Sequence, residues 1–341
     1  VLFQKFSFSC SITAMKTIDV CGVGNALVDI IISVDDSFLA KRELEKATMR
    51  LVEADEQKSM LAQVGAHTPK QSCGGSVANT IYAVGALGGK TAFFASIGND
   101  TYGSFYHDEL QALGTTFGSK LKTGETTGTC LVMITPDAER TMRTCLAVSS
   151  EFGSQDIDES IIEKSRWCFI EGYLLANPGK VDAWLHPLIA LCKKHDTKIA
   201  FTCSESWVVE HFSQSVRDVL AAASLVFANE AEAMTLTGGT DALSSLELLK
   251  GSYEYVVVTA GEHGAYVSHK GNVGHVPSVA KSVVDLNGAG DGLAGGVLYG
   301  LTHGKDIIAA AGLGCAVAAE VIGQTGPRIV DRPDFWRSLS L

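Results

Sequence analysis

The stretch Val283-Val284-Asp285-Leu286-Asn287-Gly288-Ala289-Gly290-Asp291-Gly292-Leu293-Ala294-Gly295-Gly296 holds the residues best suited to chemistry in this chain. Gly288, Ala289 and Gly290 stand before an acid and an amphipathic run from Leu293 through Tyr299, which reads as a loop feeding a helix N-terminus. Successive backbone N–H groups free of bulky side chains converge there on an anion, and the helix dipole adds roughly half a positive charge. A carboxylate beside a phosphoryl group is repelled by it, so Asp291 has two readings. As a base it accepts the proton of an attacking hydroxyl while the N–H groups stabilise the transferring phosphoryl. As a helix cap it closes a tight packing turn.

Other residues invite similar paired readings. Gly22-Val23-Gly24-Asn25-Ala26-Leu27-Val28-Asp29 follows an apolar run. A buried Asp there needs donors, which sugar hydroxyls supply in pairs; a turn Asp bonding backbone N–H groups is the alternative. Glu230 and Glu232, taken alone, are favourable acids in the first turn of a helix. No Walker A motif occurs, and Gly22-Val23-Gly24 lacks the third glycine of the dinucleotide fingerprint, which weakens a dehydrogenase reading.

Short β-prone runs and helical patterns must position these residues. Ile18 to Val23, Thr91 to Ala95, Cys168 to Leu174, Ile199 to Cys203, Leu225 to Ala228 and Tyr255 to Thr259 are nearly continuously apolar, as central strands covered on both faces require. Between them, Val77 to Leu87, Phe105 to Leu113, Val181 to Lys194, Val208 to Ala222 and Ala231 to Thr237 have crossover length. The alternation implies an α/β fold, a mostly parallel central sheet with helices on both faces. Two regions, about 30–51 and 115–146, break the rhythm with β-prone stretches and imply a small discontinuous lid of antiparallel strands.

Composition agrees with a folded chain. Its 341 residues, at about 150 per domain, suit two units or one large α/β domain with an appendage. Hydrophobic residues make up 46% and charged residues 19%, which excludes intrinsic disorder, and 35 glycines without a fixed period exclude a collagen-like chain. With 27 Lys and Arg against 38 Asp and Glu, the formal charge of −11 repels nucleic acid and anionic lipid, so an anionic ligand must be held locally. No apolar run approaches the ~18 residues of a membrane span. Ile307 to Val321 has the length of a core helix. Nine scattered cysteines without a C-x-x-C pair suit a reducing cytoplasm. Residues 1–14 read as a disordered extension or a vector remnant, leaving 15–341 as one α/β unit.

Asp285 to Asp291 resembles the D-T-x-G-A-G-D signature of the ribokinase, or PfkB, family of carbohydrate and nucleoside kinases. Gly74-Gly75-Ser76-Val77-Ala78-Asn79 resembles its Gly-Gly motif, Asn229-Glu230-Ala231-Glu232 its N-x-x-E motif, and Thr259-Ala260-Gly261-Glu262-His263-Gly264 its nucleotide loop. The motifs follow the family's order, and the resemblance covers about Thr17 to the end. Leu286 stands where the signature has Thr, which puts in question a monovalent-cation effect.

The resemblance implies a ribokinase-like fold and a cytoplasmic, ATP-dependent, Mg²⁺-assisted kinase acting on a primary hydroxyl, with adenosine (5′-OH, giving AMP) favoured. A ribose or fructose kinase and a noncatalytic nucleoside- or sugar-binding relative are the alternatives. Asp291 is implied as the base and Gly288, Ala289 and Gly290 as the anion hole. Asn229 and Glu232 would organise Mg²⁺ through water, and Thr259, Gly261 and Gly264 would hold the nucleotide, with the Ile308 to Ile322 helix either an adenine-side wall or core packing. Asn25 and Asp29 resemble residues of the family's adenosine kinases that face the nucleoside and bind its ribose hydroxyls, with Gly74, Gly75 and Asn79 completing the sugar site. Arg140 falls where those kinases carry a lid Arg, a phosphate clamp unless it is a surface Arg, and Arg143 stands nearby. Tyr173 falls where they set an aromatic against the base, although a strand-end Tyr is also a core residue. The implied partner is a small nucleoside or sugar, without nucleic acid or membrane, bound by a monomer or homodimer.

Overall fold

Ile18–Val23 (β1) shows how the sequence builds the core. Val20 belongs to an apolar cluster with Val77, Ile81 and Phe93, whereas Cys21 and Val23 belong to another with Phe94, Ile170 and Trp184. Side chains of a strand alternate between faces, so a strand apolar throughout is covered on both. The computed structural model describes residues 15–63, 69–137, 139–177, 179–330 and 332–340; the reading of residues 1–14 lies outside them.

The further strands are Leu27–Ser33 (β2), Met49–Leu51 (β3), Lys70–Gly74 (β4), Thr91–Phe94 (β5), Thr116–Phe117 (β6), Gly128–Ile134 (β7), Arg140–Cys145 (β8), Ser165–Glu171 (β9), Lys198–Thr202 (β10), Ala223–Asn229 (β11), Tyr255–Thr259 (β12), Ala265–His269 (β13) and Asn272–Val276 (β14). Among the described residues nine form one sheet in the order β14-β13-β12-β11-β10-β9-β1-β5-β6. It is parallel from β12 to β6, and β13 and β14 add an antiparallel edge. The other five strands form a smaller sheet, β3-β8-β7-β2-β4.

β1, β12 and the Val181–Lys194 helix lie where the sequence places them. Three expectations need correction. β9 ends at Glu171, because the apolar run beyond it turns into a 3₁₀ segment, Gly172–Leu175. The Val208 to Ala222 pattern is two helices, Ser206–His211 and Ser213–Ala222, since Phe212 leaves the helical region (φ −113°, ψ 34°) and meets Trp207 edge-on. The lid sheet is mixed, with β2 and β7 parallel, β3 and β8 parallel, and only β2–β4 and β7–β8 antiparallel. A parallel pair needs a long crossover, and here the chain passes through β5 and its flanking helices before returning as β7.

The lid has a core of its own, Ile30, Ile32, Leu39, Met60, Leu131 and Met133. At about 1.5–3 kcal/mol per buried aliphatic side chain, this cluster holds the lid together apart from the main sheet. The chain enters the lid at Gly24-Asn25-Ala26 and leaves it at Gly74-Gly75, and these crossings lie side by side, with Leu27 opposite Gly74. Both glycines are demanded there. A Cβ on Gly74 would stand 2.9 Å from Asp29 Oδ1, and Gly75 has φ 107° with the Asn25 carbonyl against it.

Candidate active site

The hinge between sheet and lid opens onto a cavity of about 490 Å³ at the C-terminal ends of the parallel strands, where open α/β sheets bind ligands. The Ala289–Thr302 helix begins at its wall. Its N-cap position is Gly288, in the left-handed region (φ 80°, ψ 2°) and pressed against Pro327, so Gly is required there. Gly288, Ala289 and Gly290 all line the cavity, and no neighbour lies within 4 Å of where a Gly290 Cβ would project.

Asp291 is therefore not the cap. It stands in the first turn, and its carboxylate is held from another helix, Ser76–Ala86. Ser76 Oγ donates to Oδ1 at 2.6 Å and Asn79 Nδ2 to Oδ2 at 2.8 Å, while Thr80 Oγ1 donates to the Asp291 carbonyl at 3.1 Å. Burial pushes its pKa up to about 6, against those two hydrogen bonds and the charge of Arg328. A group poised near neutrality suits proton transfer.

Asp29, the third residue of β2, faces the same cavity from the lid side. It is not a turn residue. Burial raises its pKa to about 7, and Arg328 and Arg140 oppose the rise. Asn25 lies at the crossing, its amide held on both sides: Nδ2 donates to Glu171 Oε1 at 2.7 Å, and Oδ1 accepts from Ser149 Oγ at 2.9 Å. Glu171 is fully buried, also takes the N–H groups of Asn25 (2.8 Å) and Val77 (3.0 Å), and is raised to about 7 by burial. Sequence reading passed over Glu171 and Ser149; a lone acid ending an apolar strand is the one available signal.

Asn229 ends β11 beside Thr259 of β12, and both line the cavity. Asn229 caps the Glu230–Thr237 helix in a reciprocal box: Glu232 N donates to Asn229 Oδ1 (2.9 Å), while the Glu232 carboxylate takes Asn229 N (3.0 Å) and Nδ2 (2.6 Å). Glu232 is 4% exposed, and burial moves its pKa up to about 7. Glu230 turns away to Ala242 N. Gly261 and Gly264 sit in the turn beyond Thr259 rather than among the lining residues, and Gly264 (φ 87°) lies against the β14 backbone. No residue of the Ile307–Ile322 helix is among those lining the cavity; the helix packs closely on Ala289–Thr302, where a Cβ on Gly296 would stand 2.6 Å from Gly314 Cα.

Arg140 ion-pairs with Asp285, the first acid of the glycine-rich loop, which also accepts from Gly326 N at 2.8 Å. The lid is thereby tied to that loop. Arg143 is buried on the lid's other side, on Thr48 and Met142 carbonyls. Tyr173 is half-buried and lines the cavity, with its hydroxyl donating to Glu205 Oε1 at 3.2 Å and its ring 6.4 Å from that of Trp207. Trp207, absent from the sequence reading, is 37% exposed at the same wall, and Leu286 is 70% exposed. The eight described cysteines are buried free thiols, and among the described residues no helix is long and apolar enough to cross a membrane.

Two sheets meeting over a glycine-rich loop, with a carboxylate of raised pKa at the helix start, make an arrangement compatible with phosphoryl transfer to a small hydroxyl compound. The chain belongs to the pfkB family of carbohydrate kinases, whose model matches residues 45–334, and it is a carbohydrate or nucleoside kinase. Adenosine kinase 1 of Arabidopsis thaliana is 27% identical over 342 residues, spanning 92% of this chain and 96% of the relative. The crystal structure of adenosine kinase from Sinorhizobium meliloti superposes with a TM-score of 0.84 at 32% identity, covering 93% of this chain and 97% of that one. A probable sugar kinase from Rhizobium etli CFN 42 matches as well, with a TM-score of 0.84 at 31% identity, covering 94% and 97%.

Proposed function

We propose that the protein transfers the γ-phosphoryl of ATP to the 5′-hydroxyl of adenosine, giving AMP. Kinases of this family use ATP. The observation that carries the reading is the pair of carboxylates across one cavity, Asp291 at the anion loop and Asp29 on the lid. Asp29 accepts the vicinal ribose hydroxyls, with Gly74, Gly75 and Asn79 beside the sugar. That leaves the primary hydroxyl toward Asp291, which takes its proton as Gly288, Ala289 and Gly290 N–H groups receive the phosphoryl charge. Tyr173 and Trp207 supply an aromatic wall for a base, and Asn25 and Ser149 a polar edge. Arg140 stays charged and presents a planar fork suited to phosphate, so clamping exchanges Asp285 for a second anion.

The donor set near Asn229 and Glu232 fits a hydrated Mg²⁺. Both carboxylate oxygens of Glu232 are already engaged by Asn229, and no cluster of three metal-ligating side chains occurs among the described residues. A cation that keeps several waters and takes its other ligands from phosphate needs no protein cage. When bound it would neutralise phosphate charge, with Glu232 and Asn229 placed to hold its waters and Thr259 lining the same side of the cavity. Glu232→Gln keeps the contact to the Asn229 backbone N–H, since Gln also serves at that position, but turns its NH₂ toward Asn229 Nδ2 and gives up that second contact. The Mg²⁺ concentration for half-maximal rate then rises severalfold, with nucleoside affinity in the absence of ATP unchanged; a wild-type Mg²⁺ titration would return Glu232 to a purely structural role.

Asp29 suits any vicinal diol, and the probable sugar kinase is as similar in structure as the adenosine kinase, so a ribose or fructose acceptor is the second reading. Direct comparison decides. Adenosine gives the higher kcat/KM by about 5–150-fold over ribose if the aromatic wall binds a base, because stacking a base on aromatics contributes about 1–3 kcal/mol. Equal or better kcat/KM with ribose or fructose rejects the nucleoside and leaves the kinase.

A further inference from the structure

Arg328 follows Gly326-Pro327 and is 7% exposed, a burial that a guanidinium tolerates only when paired. Two helices meet on it, Thr101–Ala112 through Glu109 and Ser76–Ala86 through Tyr82 and Asn79. It ion-pairs with Glu109 of the Thr101–Ala112 helix, its guanidinium carbon lies 5.3 Å from the centre of the Tyr82 ring, and its Nε donates to Asn79 Oδ1 at 2.8 Å. The remaining amide atom of Asn79, Nδ2, is the one that donates to Asp291 Oδ2. A guanidinium has donors only, so the Asn79 atom facing it must be oxygen, which points the amide NH₂ at the carboxylate. The reversed amide would set donor against donor at Arg328 and oxygen against oxygen at Asp291.

The geometry points to Arg328 as a positioning residue for phosphoryl transfer: it locks the Asn79 amide in the orientation that holds and orients Asp291, and Glu109 anchors it in turn. The inference rests on the reading of Asp291 as base. Arg328 touches no reacting atom. The charged and titratable groups facing Asp291 are Arg328 from the C-terminal segment, Glu171 from the end of β9 and Tyr173 from the turn beyond; Ser76 and Asn79, on the Ser76–Ala86 helix, carry no charge. Those facing Arg328 are Glu109, Tyr106 and Cys73, and its charge also reaches Asp29. Arg328 thus favours ionised Asp291, and Asp291 in turn adds to the raised pKa of Glu171.

The test compares Arg328→Gln, Arg328→Lys and Asn79→Ala, singly and with Asn79→Ala added to Arg328→Gln. In Arg328→Gln, kcat falls about 10–100-fold with the thermal midpoint showing a folded protein, as expected when a reacting group is misplaced. Its Asp291 carboxyl, followed by ¹³C NMR without ligands, titrates at higher pH, because a nearby positive charge is gone. Arg328→Lys keeps that charge but not the two-directional fork, so kcat falls while the Asp291 titration stays near wild type. Asn79→Ala adds little to Arg328→Gln, since the two act through one contact. If Glu109, left unpaired, prevents Arg328→Gln from folding, Arg328→Gln with Glu109→Gln carries the same measurements. Wild-type kcat and an unmoved Asp291 titration in a folded Arg328→Gln protein, or fully additive losses with Asn79→Ala, overturn the inference. Absence of phosphoryl transfer by wild-type protein to any nucleoside or sugar sinks the proposed function instead, and the NMR titration still decides whether Arg328 acts on Asp291.

Discussion

In Asp291→Asn, kcat falls by about 10²–10⁴-fold while ATP affinity stays within a few-fold, the signature of losing a group that acts only in the transition state. The geometry makes this substitution a clean one. Arg328 fixes Asn79 with its NH₂ toward position 291, so the new amide settles with its oxygen toward Asn79 and its NH₂ toward Ser76 Oγ, which also accepts. Both contacts survive, and only the basic oxygen is lost. The pH profile supplies a second check. Burial raises Asp291 to about 6, well above an ordinary carboxyl, so in the wild-type enzyme the fraction of active base declines as pH falls through that value. The residual rate of Asp291→Asn lacks that acid limb. Normal turnover in the variant, or the same limb in both proteins, removes Asp291 from the chemistry.

The glycine-rich loop is legible in the sequence because its requirement is local. Backbone N–H groups converge only where side chains are small, and Gly288 adopts a conformation that few other residues tolerate, so residue type and function coincide within a few positions. β1 and β12 are legible for a similar reason, since strands buried on both faces must be apolar throughout. Asp291 is different. Spacing permits either a cap or a base; Gly288 takes the cap position, and the partners that hold the Asp291 carboxylate come from the Ser76–Ala86 helix, more than 200 residues earlier in the chain. Arg328 leaves no local trace, and Glu171 leaves only that of a lone acid ending an apolar strand: each is a single charged residue whose meaning lies in distant partners, Asn79 and Glu109 for one, Asn25 and Val77 for the other. The lid is legible only in part on the same grounds. β4 carries one buried apolar side chain, Cys73, and no alternation, and the parallel pairing of β2 with β7 depends on where the main sheet returns the chain.

A nucleoside lacking its 2′ and 3′ hydroxyls is phosphorylated about 10²–10⁴-fold less efficiently than adenosine in kcat/KM, because each hydrogen bond to a charged acceptor contributes about 1.5–3 kcal/mol and two are lost together. In the proposed reading Asp29 accepts both. It faces the cavity from β2, at the crossing where Gly74 leaves room beside its carboxylate and where a larger residue would crowd Oδ1. Its raised pKa, about 7, follows from burial without a neutralising partner in contact, and vicinal hydroxyls donating to it favour the ionised form. Acceptor binding therefore weakens as pH drops below about 7, before Asp291 takes its own proton near 6. Asp29→Ala erases most of the preference for the diol, leaving adenosine and its dideoxy analogue within about tenfold of one another. The same variant keeps Asp291, the anion loop and Arg328, so its loss appears chiefly in the acceptor KM, separable from the kcat defect of Asp291→Asn. A full preference retained by Asp29→Ala would move the sugar away from the lid strand and onto Asn79 and the Gly74-Gly75 turn.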